Sequence, residues 1–515
     1  MSEIKSWPFK EAHRLLKYSK NNKKNFVAFE TGYGPSGIPH IGTFAEVLRT
    51  NFVINAFHQI SDIPTKLICF SDDFDGLRKI PENLPGEIDL GSYIDVPLTN
   101  VPDPFQKERS FGDYMNKMLC KFLDHFGFDY EFYSATEFYK SGKFDNFLIK
   151  ILEKHEEIVN IVAPTLGEER KKSYSPFLPV CKKTGKILQV KIEKIDLSKN
   201  SIFYFDHEGD LVESQVTGGN TKLQWKADFG MRWAALDIDF EIYGKEHAPN
   251  ANIYQKICRL LDGNPPIQFV YELFLDKDGT KISKSKGNSI SLDELIKYAP
   301  LEAISLFIYN SPQRAKKLDW NVVPQFIDEY LALNKKYFLD DVVKENNPLY
   351  HIHKGNVPQI KHTTINFSFL INLISACNSL DKKFLWKFIE RDNPLLDDVS
   401  KNYYFNILEY AVRYYKDILN KDHKKVTISD DQKVIFEHIL KILESSSPYD
   451  LTADFIQNQL YSLGKTLGYE DLRSYFKKIY TGLLNQEKGP RLGSFIKFFG
   501  IENTKKLIKE KLSQI

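Results

Sequence analysis

The sequence predicts an α/β protein whose parallel sheet is interrupted by a β-rich insertion and followed by an all-helical region. Near the N-terminus, an apolar strand, a glycine-rich loop, a helix and a second apolar strand follow one another. Short alternating strands with turn signals lie in the middle of the chain, and helical periodicity dominates beyond residue 325.

The first half of the predicted sheet has a strand at 26–29, a loop with several glycines, a helix that begins at Ile41, and a strand at 66–70. The second strand is followed by the acidic turn 71–75. This succession is typical of the βαβ unit of a Rossmann-like sheet.

Two predicted helices, at 105–126 and 147–162, precede the small β-rich segment 173–218. The α/β pattern then resumes, and a capping-box sequence at 291–294 begins a further helix. The resumed elements are predicted at 225–235, 240–243, 251–261 and 268–274. The clearest helices that follow are at 326–339, 367–380, 400–419, 431–443 and 452–467. We therefore divide the chain into two core halves, 1–100 and 223–324, a connecting insertion, 101–222, and a helical region, 325–515.

The composition excludes several classes of protein. The 515 residues are 42% hydrophobic, which is enough for complete cores and excludes a disordered chain. The formal charge of +2 excludes binding to nucleic acid by net charge alone. Five cysteines without a CxxC pair indicate reduced thiols in the cytoplasm. We also expect no secretory signal and no membrane span, because no apolar run approaches 18 residues.

Two motifs suit a nucleotide triphosphate. Between the first strand and its helix, His40 can donate to phosphate, while Gly37 and Gly42 let the backbone approach it at a helix N-terminus. Lys281 and Lys284, with the hydroxyls of Ser283 and Ser285, can neutralise the charge that grows as pyrophosphate leaves. The alternative interpretations are a loop histidine beside a glycine turn and an exposed cationic loop.

The order of these motifs, with an insertion between them, resembles the HIGH and KMSKS signatures of the class I aminoacyl-tRNA synthetases. Within this class, the sequence resembles the class I lysyl-tRNA synthetases. This resemblance extends from about Trp7 to the C-terminus. The resemblance rests on the sequence segments ETGYGPSGIPHIGT, SDDFDGLRK, KADFGMRW, FEIYGKEH, KDGTKISKSKGN and EKGPRLGSF. The resemblance implies a HUP-type Rossmann-like core and a helical domain that binds the anticodon.

The resemblance also implies an activity, the ATP-dependent ligation of L-lysine to tRNA(Lys). The lysine carboxylate would attack the α-phosphate of ATP, with Mg²⁺ bound, and the lysyl group of the adenylate would pass to the 2′-hydroxyl of the terminal adenosine. Neither DNA nor a membrane is an expected partner. The implied catalytic residues are His40, Lys281 and Lys284. The implied lysine-binding residues are Gly32, Tyr33, Trp225, His247 and Tyr271. Core aromatics and a helix-capping histidine are the alternatives for Trp225, Tyr271 and His247.

Glu30 is predicted to bind the ε-ammonium of lysine and so to determine specificity for lysine. It ends the first strand, ten residues before His40. On alignment at the HIG motif, glutamyl-tRNA synthetases place a substrate-binding arginine there, and the opposite charge suits the opposite substrate. The alternative is a structural ion pair, which would shift the ammonium site to Asp72, Asp73 or Glu46.

The insertion departs from the family, which often carries zinc-knuckle cysteines there. Cys181 is followed by Thr184 where a CxxC would end, and the second knuckle position reads Asp206-His207-Glu208-Gly209. Cys181 and His207 supply at most two of the four Cys or His ligands that a structural zinc requires. No structural zinc is therefore expected.

Three other functions stay open on sequence alone. The first is a class I synthetase for glutamate, which the acidic residue at position 30 disfavours. The second is a nucleotidyltransferase that does not use tRNA, although such an enzyme does not need a helical tail of about 190 residues. The third is a non-catalytic tRNA-binding paralogue, which the intact His40, Lys281 and Lys284 disfavour.

Overall fold

The computed structural model describes residues 4–81, 84, 88–282, 290–339, 343–420, 428–447, 449–487 and 489–513. The chain forms two compact units, Met1–Leu292 with Ile308–Leu318 and Asp293–Phe307 with Asp319–Ile515. Among the described residues, none of the helices combines the length and the apolar character that a bilayer span requires. The finer domain boundaries at 100 and 222 stay a prediction.

The strands, in chain order, are β1 (Val27–Tyr33), β2 (Thr65–Ser71), β3 (Glu131–Ser134), β4 (Phe177–Pro179), β5 (Ile192–Asp196), β6 (Ser201–Phe205), β7 (Leu211–Gln215), β8 (Thr221–Leu223), β9 (Phe240–Gly244), β10 (Ile267–Tyr271), β11 (Phe274–Leu275) and β12 (Lys316–Lys317).

The α-helices are α1 (Trp7–Asn21), α2 (Ile41–His58), α3 (Phe111–His125), α4 (Ala135–Lys140), α5 (Asp145–Glu153), α6 (His155–Val162), α7 (Glu168–Ser173), α8 (Trp225–Ala235), α9 (Ala251–Leu260), α10 (Leu292–Leu295), α11 (Leu301–Tyr309), α12 (Val323–Leu339), α13 (Pro348–Ile352), α14 (Phe367–Cys377), α15 (Lys382–Asp392), α16 (Asp398–Tyr414), α17 (Asp430–Ser445), α18 (Ala453–Thr466), α19 (Leu472–Leu484), α20 (Leu492–Phe499) and α21 (Ile501–Leu512).

The core of the first unit is a parallel five-stranded sheet in the order β10-β9-β1-β2-β3. The chain builds outward from β1 to β3 and then returns to the other side of β1 with β9 and β10. The order therefore reverses between β1 and β9. In open α/β sheets, ligands bind outside the carboxyl ends of the strands at such a switch point. The predicted α/β class with a parallel sheet is confirmed.

Burial explains which strands the sequence predicts well. Six of the seven residues of β1 and the last five of β2 are buried, as expected for strands covered by helices on both faces. β3 has four residues, none of them fully buried, so it lacks the apolar run that would predict it. The sequence reading also missed α1, whose buried face includes Phe9, Ala12 and Leu15.

The helix predicted at 105–126 begins later, at Phe111, because the preceding segment is held in a turn by Asp103. The Asp103 carboxylate accepts hydrogen bonds from the backbone N–H groups of Phe105, Lys107 and Glu108. Ser110 then caps α3 by accepting from the N–H of Asp113 at 3.0 Å. A local carboxylate turn thus replaces the first helical turn that periodicity predicts.

The insertion is β-rich, as predicted. β5, β6 and β7 form an antiparallel sheet, and β4 pairs with β8. The described residues of the second unit contain helices and no strand. Side chains cap α14, α16, α17 and α18, and the acceptors are Asn366, Asp397, Ser429 and Thr452.

The two turns at the predicted knuckle positions are joined by a lysine. The Asp206 carboxylate accepts from the backbone N–H groups of Glu208 and Asp210, which closes the second turn. The Lys183 ammonium lies 3.4 Å from the carboxylates of Asp206 and Asp210, and it contacts Glu208. Among the described residues, these three acids are the one group of His, Cys, Asp or Glu whose ligand atoms lie within 4.8 Å of one another.

These residues do not fit a structural zinc ion. Zinc prefers sulfur and nitrogen in a closed tetrahedral set. Here the clustered groups are carboxylates, and their positive partner is the Lys183 ammonium. Cys181 lies outside the group of clustered ligand atoms. Ion pairs of Lys183 thus join the two turns at these positions.

We expect the purified protein to contain no stoichiometric zinc, and a chelator such as EDTA to leave its melting temperature unchanged. Elemental analysis by mass spectrometry and a thermal scan measure the two quantities. One tightly held zinc per chain would contradict the argument.

The ion-pair role is tested by Lys183→Met, with Lys199→Met as the matched control. Lys183 faces three carboxylates, whereas the Lys199 ammonium pairs with Glu213 at 3.5 Å. Removal of Lys183 leaves three like charges together, so its melting temperature should fall further than that of the control. Equal losses would show that Lys183 has no special role.

Candidate active site

Two cavities lie at the carboxyl ends of the core strands in the first unit. The larger, of about 820 Å³, is bounded by the loops after β1, β2 and β9 and by α8. The smaller, of about 180 Å³, lies between the end of β1, the first turn of α2 and the end of β10. Both cavities are lined by Gly34, His40, Glu246, Lys281 and Ile282. The two predicted motifs therefore meet where the cavities adjoin.

His40 is the N-cap of α2. Its Nδ1 accepts hydrogen bonds from the backbone N–H groups of Gly42, at 3.0 Å, and Thr43, at 3.3 Å. A Cβ atom on residue 42 would lie 2.6 Å from the His40 ring, so the capping geometry requires a glycine there. Because Nδ1 accepts, the neutral ring carries its proton on Nε2, and that N–H can donate to a ligand.

The structure changes two expectations about the glycines. The Gly42 amide bonds to His40, so it does not point at a phosphate site in this arrangement. Gly37 lines neither of the two cavities, and its carbonyl accepts from the Tyr33 hydroxyl at 3.0 Å. For Gly42 the physical reason is that the His40 ring, as the cap of α2, accepts from the N–H that a phosphate would have used.

Lys281 is placed as predicted, at the junction of the cavities. Its ammonium lies 3.0 Å from a carboxylate oxygen of Glu246, in the loop after β9. The exposed loop lysine is thus directed by an ion pair rather than left to move freely. The other predicted residues of this motif, Ser283, Lys284 and Ser285, lie outside the described residues.

Trp225 and His247 line the larger cavity. Trp225 is 39% exposed, so it is not a core aromatic, and its ring meets the His247 ring edge-on at 5.7 Å. His247 packs on Phe229 at 4.9 Å, and its Nδ1 is 3.2 Å from the Tyr254 hydroxyl. It makes no side-chain capping bond to the turn that follows, and burial lowers its pKa.

Tyr271 lines the smaller cavity instead, together with Gly32 and Tyr33. Its hydroxyl donates to the Glu46 carboxylate at 2.5 Å, and Glu46 also accepts from the Gly32 N–H at 3.1 Å. Burial raises the pKa of Glu46 to about 8, against the effect of these two bonds. Trp225, at the start of α8, and Tyr271, at the end of β10, thus line two adjoining cavities, and their role as walls of a lysine pocket stays a prediction.

The wall of the larger cavity contains a buried charge network centred on Arg232 of α8. The Arg232 Nε lies 2.5 Å from a carboxylate oxygen of Glu30. Glu30 is the middle residue of β1 and does not end it, because the strand continues to Tyr33. Its Nη1 lies 2.8 Å from Asp72 and 3.5 Å from Asp228. The guanidinium also stacks against the ring of Phe70, at 4.5 Å, and against that of Phe229, at 4.8 Å.

This network revises the expectation for Glu30. Its side chain is fully buried, it lines neither cavity, and its carboxylate pairs with Arg232. The geometry therefore matches the structural ion pair that the sequence left as the alternative. Asp72 and Asp228, unlike Glu30, line the larger cavity.

The remaining acids near the site have other partners. Asp73 accepts from Ser134, at 2.5 Å, and from the Thr136 N–H, at 2.7 Å, so it supports the start of α4. Asp75 pairs with the buried Lys222. The sequence interpretation missed Arg232 and Asp228. Their signal was the i, i+4 spacing of opposite charges on one face of a predicted helix.

Acidic groups outnumber the cations around this network. Glu30, Asp72, Asp228 and Glu241 all surround the single guanidinium of Arg232. Burial raises the pKa values of Glu30, Asp72 and Glu241, and their mutual repulsion adds to the effect. Of these four acids, Asp72 and Asp228 line the larger cavity, which is also lined by the cations Arg78, Lys79, Lys222 and Lys281.

Known proteins resemble the chain over almost its whole length. The family described as tRNA synthetases class I (K) matches residues 5–356. The chain is 52% identical over 512 residues to the lysine–tRNA ligase of Rickettsia prowazekii (strain Madrid E), covering 98% of this chain and 97% of the relative. It is 52% identical over 523 residues to the lysine–tRNA ligase of Rickettsia bellii (strain OSU 85-389), covering 99% and 100%.

Among solved structures, a glutamate–tRNA synthetase of Elizabethkingia anophelis covers 95% of this chain and 100% of its own, at 12% identity and a TM-score of 0.39. A TM-score this low supports no inference. The family match spans more than half of the chain, and the relatives match nearly all of it. The chain therefore belongs to the class I tRNA synthetase (K) family.

Proposed function

We propose that this protein is a lysine–tRNA ligase that forms lysyl-adenylate from L-lysine and ATP and transfers the lysyl group to the 2′-hydroxyl of the terminal adenosine of tRNA(Lys). The observation that carries the choice of amino acid is the pair of carboxylates, Asp72 and Asp228, that line the larger cavity beside His40 and Lys281. The relatives named as lysine–tRNA ligases support the same activity.

The charge of the wall favours lysine over glutamate. Glu30 already neutralises Arg232, so the guanidinium is not available to a substrate carboxylate. Asp72 and Asp228 face the cavity and would repel the side chain of glutamate. A desolvated like-charge contact of this kind costs several kcal/mol, whereas a matched ammonium is favourable.

The adenylation step depends on positioning and electrostatics. We place the triphosphate at the junction of the cavities, where His40 Nε2 can donate to a phosphate oxygen and Lys281 offsets negative charge. Lys284, three residues later in the sequence, offsets the charge on the departing pyrophosphate. Mg²⁺, bound together with ATP, would supply further neutralisation of the phosphate charge.

The helical second unit is the proposed site for the anticodon arm. Lysines would contact phosphates, and aromatic side chains would stack on splayed bases. The five cysteines form no disulfide in the structure, which suits a cytoplasmic enzyme. The size of this unit also disfavours a transferase that does not use tRNA.

Pyrophosphate exchange should depend on L-lysine and not on glutamate, glutamine, cysteine or arginine. The reason is that the Asp72 and Asp228 carboxylates line the larger cavity and suit an ammonium group. The assay should contain tRNA, because exchange in synthetases of the related glutamyl type can require it. Exchange driven by another amino acid would overturn the lysine assignment.

The two roles of His40 can be separated by comparing His40→Asn with His40→Ala. Asparagine can still cap α2, so it should preserve stability, whereas alanine should cost about 1 kcal/mol of unfolding free energy. Both variants lose the Nε2 donor, so adenylate formation should fall on the order of 100-fold in each. Normal turnover in the asparagine variant would show that His40 serves only as a cap.

Lys284→Ala should slow adenylate formation by about 100-fold while changing ATP affinity much less. The charge that Lys284 offsets grows in the transition state, so its loss should affect the rate. Single-turnover kinetics measure the step, and Lys277→Ala, an exposed lysine on the same segment, is the control. Unchanged turnover with a raised ATP requirement would place Lys284 in ground-state binding.

A further inference from the structure

We propose that Arg232 is a positioning residue that fixes the Asp72 carboxylate in the wall of the larger cavity to bind an ammonium group of the amino-acid substrate, with Glu30 as the counter-ion of Arg232. The proposal rests on the proposed function and assigns a residue-level basis for its choice of substrate.

Contacts other than the one with Asp72 hold the Arg232 side chain in place. The side chain is 1% exposed, and its guanidinium lies against two aromatic rings, those of Phe70 on β2 and Phe229 on α8. Glu30 holds its Nε at 2.5 Å. A planar guanidinium directs several N–H groups at fixed angles, so one side chain can pair with Glu30 through Nε and with Asp72 through Nη1.

Asp72 is the carboxylate that remains able to bind a ligand. Its backbone N–H donates to the Tyr33 carbonyl at 2.9 Å, which ties the loop after β2 to the end of β1. One carboxylate oxygen takes the Arg232 contact at 2.8 Å, and the side chain is 29% exposed. Among the described residues, its second oxygen makes no hydrogen bond or ion pair.

The other acids of the network are already engaged or lie behind the wall. Asp228 accepts from the Tyr139 hydroxyl at 2.5 Å through one oxygen and faces Arg232 with the other. Glu241 accepts from the indole N–H of Trp233 and, like Glu30, lines neither cavity. Asp72 is therefore the group that combines orientation by Arg232 with access to the cavity.

The test uses Arg232→Lys and Glu30→Gln in the full-length enzyme. A lysine keeps the charge but cannot pair with Glu30 and Asp72 at once, so Asp72 loses its fixed orientation. Affinity for L-lysine, measured as its KM in pyrophosphate exchange with tRNA present, should weaken on the order of 10- to 100-fold in Arg232→Lys. Glu30→Gln should weaken it in the same direction, and the KM for ATP should change little in both variants.

Two analogues of lysine identify which of its two ammonium groups Asp72 binds. L-norleucine lacks the ε-ammonium, and 6-aminohexanoate lacks the α-ammonium. Each is measured as an inhibitor of exchange against lysine. The analogue that lacks the ammonium bound by Asp72 should bind the wild type and Arg232→Lys with equal affinity. The affinity for the other analogue should fall in Arg232→Lys by the same factor as the affinity for lysine. Met231→Ala, a buried neighbour on α8, controls for loss of helix stability and should leave the ratio of lysine to analogue affinities unchanged.

Two outcomes would overturn the proposal. One is an unchanged lysine KM in both Arg232→Lys and Glu30→Gln. The other is an equal loss of affinity for lysine and for both analogues, which would indicate a purely structural role. Failure of the proposed function is distinguishable, because the wild-type enzyme would then show no exchange with lysine.

Discussion

The arrangement of the site depends on the ion pairs of one buried guanidinium, that of Arg232. Glu30 lies in the middle of β1, opposite Ile68 of the parallel strand β2, and Asp72 follows the last residue of β2. Asp228 approaches them from α8. Without a cation these carboxylates would repel one another or take up protons, since several buried like charges cannot all stay ionised at low cost. Arg232 joins them, and its stacking on Phe70 connects the charge network to the core of the sheet.

The reversal of strand order between β1 and β9 divides the ligand space into two parts. Asp72, Trp225 and His247 bound the larger cavity, and Glu46 and Tyr271 bound the smaller one. His40 and Lys281 lie where the cavities adjoin. This arrangement fits an enzyme that must hold two substrates with their reacting groups in contact, because binding energy from separate cavities can align them at a shared junction.

The sequence predicted the parts of the fold that have a strong local signal. β1, β2 and α8 carry apolar runs or helical periodicity, and the histidine motif carries the glycines that its loop requires. β3 was missed because it is short and poorly buried. The start of α3 was misplaced because a carboxylate turn at Asp103 competes with the helix.

The sequence identified candidate site residues but not the contacts that these residues make with one another. Glu30, Trp225 and His247 were identified from position and resemblance, yet the ion pair of Glu30 with Arg232 joins distant parts of the chain that no local pattern connects. The Gly42 amide was assigned to phosphate because a backbone donor at a helix N-terminus looks available in the sequence. The His40 ring satisfies it only in three dimensions.

A crystal structure of the enzyme with a non-hydrolysable analogue of lysyl-adenylate tests the central claim most directly. We expect an ammonium nitrogen of the lysyl group to lie about 3 Å from the Asp72 carboxylate, in the larger cavity, with Arg232 still paired to Glu30. An ammonium bound instead to Glu46 in the smaller cavity would contradict it.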